Sequence, residues 1–352
     1  MSTSERSRFA FRLMFPSEAV VHTRDLIDAV DSMVVSWAPA DNIVATHWRD
    51  PPSLHAAPVD DLPTPPNCTP GYVRQTLTVK EGPTLVAVNS GGDVFFAAEG
   101  KDFLHQKIYR IPAASIEAST MHAEVYSTDD MDIVDGLALD AQGRMYASQG
   151  RGSIVRTDPR EGIAPRFLSF AEKLTGNAYH LKFNAHGDII YIDFQRGNVM
   201  KRTSSHAVGD RDSRDILGKG DTGENRETRI ASGFDRPAGL AADPSNAVYV
   251  VDEARRLIER VAPDGTVQII PVQLRHPEGI ALDAEGNLFV IENALAPVQR
   301  ISPAGKACAV THEVRSAYSD IAVDGHGRVF ATNLLDHVID EFVPIENALS
   351  RR

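Results

Sequence analysis

Six segments of this chain repeat one pattern. Asp135–Gln149 reads DGLALDAQGRMYASQ, Ala238–Asp252 reads AGLAADPSNAVYVVD, Glu278–Glu292 reads EGIALDAEGNLFVIE and Ser319–Asn333 reads SDIAVDGHGRVFATN. Tyr179–Asp193, YHLKFNAHGDIIYID, and Thr84–Ala98, TLVAVNSGGDVFFAA, follow the same rule. In each, an alternating apolar run meets an Asp or Asn turn, usually with Gly, and a second alternating run follows. Period-2 alternation across such a turn is the signature of a β-hairpin. A fainter seventh copy, Met33–His47, keeps the length and the Asp41-Asn42 turn but lacks the glycine.

The hairpin starts are spaced by 51, 51, 44, 59, 40 and 41 residues. That period suits a blade of four antiparallel strands, so the fold class is an all-β propeller. Third strands follow the hairpins at Ile108-Tyr109-Arg110, Ile154-Val155-Arg156, Ile258-Glu259-Arg260 and Val298-Gln299-Arg300. The last blade runs out of chain after its third strand, Val338–Phe342, so an N-terminal strand must complete it and remove the open edges. Phe9–Phe15 is expected to do so, giving seven blades. Closure by Val73–Val79 instead gives six, with residues 1–70 an appendage.

The domain plan is therefore a single propeller over 1–352. Residues 1–32 supply the closing strand and a short helix capped by Ser17 and running to about Asp31. The blades occupy 33–343. Residues 203–228 are polar and rich in Gly and Asp, a long loop.

The first strand of each blade lines a propeller's channel, so the open hairpin ends should gather at one mouth. The starts place Met33, Thr84, Asp135, Tyr179, Ala238, Glu278 and Ser319 there. The ends place His47, Ala98, Gln149, Asp193, Asp252, Glu292 and Asn333 there. His105, His180 and Asp320 are near neighbours. The turn residues Asp140, Asn184, Asp243, Asp283 and Asp324 are read as bonding their own turn backbone. Asp193, Asp252, Glu278 and Glu292 form an acidic arc from three consecutive blades. Such an arc suits a divalent cation, a cationic substrate, or a carboxylic acid held protonated. The competing reading of each carboxylate is a bond to a neighbouring loop's N–H groups.

The repeat resembles the gluconolactonase/regucalcin, strictosidine-synthase-like and NHL-repeat propellers, and is similar to the seven-bladed virginiamycin B lyases. The likeness spans residues 33–343. In the gluconolactonase family a Glu, an Asn and an Asp at hairpin starts hold the metal. Here the matching starts are Thr84, Tyr179 and Ala238, although Glu81-Gly82-Pro83 matches the family's Glu-Gly-Pro. The resemblance therefore implies a relocated site for one Ca-like divalent cation, on Asp193, Asp252, Glu278 and Glu292, with no organic cofactor.

Three functions follow. The first is metal-assisted hydrolysis of a lactone or ester. The second is a metal-free cyclase, lyase or isomerase working by carboxylate acid/base chemistry. The third is a non-catalytic binding propeller. The candidate catalytic residues are Glu278, Asp135, His180 and His47. The candidate substrate contacts are Tyr179, Gln149, Asn333, Asp320 and His105. A small molecule is the expected partner. The formal net charge of −12 argues against nucleic acid. No signal-peptide core or membrane-length apolar run is seen in the sequence, so a cytoplasmic location is expected. The two cysteines, Cys68 and Cys308, are expected to be unpaired thiols there.

Overall fold

The computed structural model describes residues 64–99, 105–118, 122–127, 131–150, 152–157, 165–171, 174, 176–203, 227–292, 296–311 and 318–350. The expected helix at 17–31, the faint hairpin at 33–47 with His47, and loop residues 204–226 lie outside them.

Each of the six clear hairpins forms the two inner strands of a four-stranded antiparallel sheet. The first sheet is β2 (Pro83–Val88), β3 (Val94–Glu99), β4 (Gln106–Ile111) and β5 (Glu124–Val125). The second is β6 (Val134–Leu139), β7 (Met145–Gln149), β8 (Ser153–Thr157) and β9 (Phe167–Ala171). The third is β10 (Ala178–Phe183), β11 (Ile189–Asp193), β12 (Asn198–Arg202) and β13 (Glu227–Ser232). The fourth is β14 (Pro237–Ala242), β15 (Val248–Asp252), β16 (Leu257–Val261) and β17 (Val267–Ile270). The fifth is β18 (Pro277–Leu282), β19 (Leu288–Glu292), β20 (Gln299–Ile301) and β21 (Ala307–Ala309).

The sixth sheet shows how the ring closes. β22 (Tyr318–Val323), β23 (Val329–Asn333) and β24 (Val338–Pro344) are completed by β1 (Tyr72–Thr78), which pairs with β24 along its whole length, from Tyr72↔Pro344 to Thr78↔Val338. The innermost strands neighbour one another in the order β2, β6, β10, β14, β18, β22, and β22 adjoins β2. The structure thus has six blades, not the favoured seven. The closing strand comes from just before the first clear hairpin, and it leaves the edge of β24 no place for Phe9–Phe15. All six blades fall within the compact unit Pro58–Arg352.

The hairpin turns form as their residues require. Asp140 Oδ1 accepts the N–H groups of Gln142 and Arg144 at 3.0 and 2.9 Å, and Asp324 Oδ1 accepts those of His326 and Arg328 at 2.9 Å. The fourth blade has no turn glycine, and Asn246 takes the left-handed backbone in its place (φ 66°). The core lies between the blades. Leu77, Phe96, Tyr109, Phe330 and Ile339 pack where the sixth blade meets the first. Each such fully buried large side chain contributes about 1.5–3 kcal/mol.

The cysteines do not remain free thiols. Pro66, Asn67 and Cys68 lie beside β21: Ala309 N–H donates to Pro66 O at 2.7 Å, and Cys68 N–H to Ala309 O at 2.9 Å. That parallel pairing sets the Cα atoms of Cys68 and Cys308 4.9 Å apart, and the two form a disulfide. The lead-in to the closing strand is thereby fastened to the fifth blade.

Candidate functional site

Every innermost strand carries one extra residue near its start. The register against the second strand slips between Pro83 and Leu85, Val134 and Gly136, Pro237 and Gly239, Pro277 and Gly279, and Tyr318 and Asp320. Thr84, Asp135, Ala238, Glu278 and Ser319 are therefore bulge residues, freed from the ladder and re-aimed by it. These are the hairpin starts read from the sequence. The structure brings them into one ring: Gly239 packs on the backbone of Glu278 and Gly279, and the Ser319 hydroxyl lies 3.4 Å from Pro83 O.

The third blade departs from its sisters. Its slip comes later, between Tyr179 and Lys182, and His180 takes a left-handed backbone (φ 47°). A left-handed non-glycine residue costs of order 1–3 kcal/mol and persists where the surroundings impose it. Here Gly136 of the second blade approaches so closely that an added Cβ would meet Leu181 N at 2.8 Å and His180 N at 3.0 Å.

Four of the expected site residues converge at this point. Asp135 is only 8% exposed, and burial pushes its carboxyl up to about 7, although a hydrogen bond from the Tyr179 hydroxyl opposes the shift. Tyr179 is held well above the ordinary phenol range by burial and by the Asp135 charge. Its ring packs beside Phe194, with centroids 5.2 Å apart. His180 is pushed down from the ordinary imidazole value by burial first and by Lys182, while Asp320 and a hydrogen bond to the Ala238 backbone draw it up. Asp320 comes from the blade on the far side of the ring, and its Oδ2 accepts Val86 N–H of the first blade at 2.9 Å.

Within the expected acidic arc, Asp252 and Glu292 close loops of their own blades. Asp252 accepts the N–H groups of Asp235 at 2.7 Å and Arg255 at 3.0 Å. Glu292 accepts those of Arg275 and His276 (the latter at 3.0 Å), and Gln299 Nε2 at 2.7 Å. In both blades a donor lies seventeen residues before its acceptor, so the clasp is part of the repeat. Asp193 pairs with Arg196 at 3.1 Å and packs against Gly176. Among the described residues no group of three or more His, Cys, Asp or Glu is placed to hold a metal ion. Glu278 itself stands half-buried at the fifth-blade bulge.

Among the expected substrate contacts, Asn333 is fully buried and accepts Asp336 N–H at 2.9 Å, a turn bond. His105 is exposed ahead of β4, a third strand set back from the channel. Gln149 ends β7, paired with Val134 and Ser153. Glu81, of the Glu-Gly-Pro match, receives a hydrogen bond from Tyr109.

Lys182 was missed from sequence. It pairs with Ile190 at the register position that Ala87, Ala138, Ala241, Ala281 and Ala322 hold in the other five blades. Superposing the six repeats shows the substitution directly: the fourth residue of each is Ala except in YHLKF.

No protein-family profile matches the chain, and no curated protein matches it by sequence. Solved structures do match. A virginiamycin B lyase from Staphylococcus aureus superposes with a TM-score of 0.54 at 16% identity, covering 77% of this chain and 99% of that one. A gluconolactonase from Xanthomonas campestris gives 0.54 at 17% identity, covering 80% and 95%. A protein of unknown function from Bacteroides thetaiotaomicron gives 0.57 at 12%, covering 80% and 75%. At these identities the likeness establishes the fold: the chain is a propeller of the architecture shared by a gluconolactonase and a virginiamycin B lyase.

Proposed function

We propose that this propeller is an acid/base enzyme acting on a small molecule at the bulge-lined mouth of its channel, as a lyase, isomerase or ring-opening enzyme. The observation that carries the proposal is a buried Asp135, raised to about 7, next to the Gly136 that packs on the backbone of His180, whose imidazole burial pushes toward its neutral form. A carboxyl raised toward its acid form and an imidazole lowered toward its base form are suited to proton transfer. The structural neighbours, a lactonase and a lyase, carry out bond-breaking reactions on small molecules and agree in kind.

The residues divide the work as follows. His180 donates one ring N–H to the Ala238 backbone, which leaves the other nitrogen to accept a proton from substrate carbon or from water. The imidazolium so formed faces Asp320, whose charge favours it. Asp135, protonated in part near neutrality and oriented by Tyr179, delivers a proton to the departing or developing oxygen. Each approach of this kind contributes about 10²–10⁴-fold. Metal-assisted hydrolysis of a lactone is the less favoured reading, since two of the four side chains expected to hold the cation, Asp252 and Glu292, accept backbone N–H groups.

The test is a panel of small lactones and cyclic esters followed by mass spectrometry, with and without chelator. Hydrolysis adds the mass of one water; elimination or isomerisation does not. Turnover should survive chelation and fall by about 10²-fold or more in Asp135→Asn and His180→Gln. Chelator-abolished turnover, or an active Asp135→Asn, would sink the proposal.

A further inference from the structure

Lys182 is an ammonium on an innermost strand, where five sister blades carry alanines that are 3–8% exposed. β11 covers the outer side of its strand, β6 and β14 flank it, and Lys182 keeps partial exposure. Among the described residues it has no hydrogen-bond or ion-pair partner, although the chain's net charge of −12 supplies carboxylates in excess. A lysine at a position that five blades fill with a methyl group packed between blades loses hydration and side-chain freedom without a compensating contact. It also opposes the protonation of His180 two residues away. These costs fall on one blade only, and it is the blade whose bulge is displaced and whose histidine is left-handed.

We propose that Lys182 is a substrate-anchoring residue that binds a carboxylate group on the small molecule handled at the channel mouth. The inference rests on the acid/base reading of Asp135 and His180 and adds the chemical class of the substrate. Along a strand, two residues span about 7 Å. Lys182 therefore sits about one small-molecule length deeper than His180. A carboxylate held there points the rest of the molecule outward, toward His180 and Asp135. The ammonium also offsets the repulsion that an acidic protein exerts on an anionic ligand. A substrate of this class is a hydroxy-acid derivative or a lactone bearing a free carboxylate, and a bare neutral lactone lacks the matching group.

The experiment titrates the full-length protein calorimetrically with matched probes, benzoate against benzamide and phenylacetate against phenylacetamide. The variants are Lys182→Ala, which restores the residue of the other five blades, and Lys182→Arg. The carboxylates should bind wild type about tenfold or more tighter than the amides. Lys182→Ala should erase that preference without lowering the melting temperature, and Lys182→Arg should keep part of it. Equal binding of amide and carboxylate to wild type, an unchanged preference in Lys182→Ala, or no binding of either carboxylate overturns the anchor. Asp135→Asn separates this inference from the proposal beneath it. That variant should keep the carboxylate preference while losing turnover, so an active Asp135→Asn counts against the acid/base reading alone.

Discussion

The Tyr179 hydroxyl hydrogen-bonds the Asp135 carboxylate across the boundary between the second and third blades. Asp135 is nevertheless raised from 3.8 to about 7, so burial outweighs the bond. A carboxyl raised on folding stabilises the native state below its unfolded value, and that stability is lost as pH rises through the folded value. Wild type should therefore lose stability relative to Asp135→Asn between about pH 4 and about pH 7, by at most about 4 kcal/mol, with a constant difference above. Denaturant titrations across pH measure this; parallel curves for the two proteins would refute it.

Tyr179→Phe removes the one bond that lowers Asp135. The carboxyl should then titrate at still higher pH. Carbon-13 NMR of the Asp135 carboxyl in both proteins reads the shift directly, and a midpoint that stays or falls would show that Tyr179 does not act on it.

Gly136→Ala tests the contact that holds the displaced bulge. The added Cβ would meet Leu181 N and the Ser148 hydroxyl, both at 2.8 Å, and backbone cannot give way cheaply. The expected cost is about 1–3 kcal/mol. The variant should also move the His180 resonances, because the strain falls on its left-handed backbone. A stability loss with His180 unmoved would mean that the contact supports packing alone.

The hairpins, their turns and the ring of starts were legible because each depends on residues within one fifteen-residue segment. Asp140 and Asp324 read as turn caps from their place beside the turn, and they are. The count of blades was not legible. Phe9–Phe15 and Tyr72–Thr78 both alternate, and which one pairs with β24 is a long-range choice. Spacing placed Asp252 and Glu292 correctly at the hairpin ends, but that each accepts a backbone N–H from seventeen residues earlier shows only once the strands are paired. Asp135 and His180 were found as positions, whereas the bulge that aims them was not. Lys182 could have been found, since the alanine column it interrupts is visible once the six repeats are aligned.

If Asp252 and Glu292 are loop clasps, their loss should be structural. Asp252→Ala and Glu292→Ala each remove the acceptor of two part-buried N–H groups and should cost about 1–3 kcal/mol. Neither chelator nor added calcium should shift the melting temperature of wild type by that amount. A calcium-dependent rise that disappears in Glu292→Ala would restore the cation site.

Cys68 and Cys308 are separated by 240 residues, so their bond ties the strand that closes the ring to the blade beside it across almost the whole propeller. Constraining so long a loop in the unfolded chain stabilises the folded one by at most about 5 kcal/mol in the chain-entropy account. Reduction, or Cys68→Ser with Cys308→Ser, should lower the melting temperature. It should also speed hydrogen exchange in β1 and β24 ahead of the inner strands, because closure of the sixth blade is the step the bond assists. The mouth near His180 draws on inner strands, Asp320 of β22 included, whereas the bond acts on β1 at the outer edge of the sixth blade, so turnover per folded molecule should survive reduction. Exchange that rises uniformly, or first in β10, would show that the bond supports the whole ring rather than its closure.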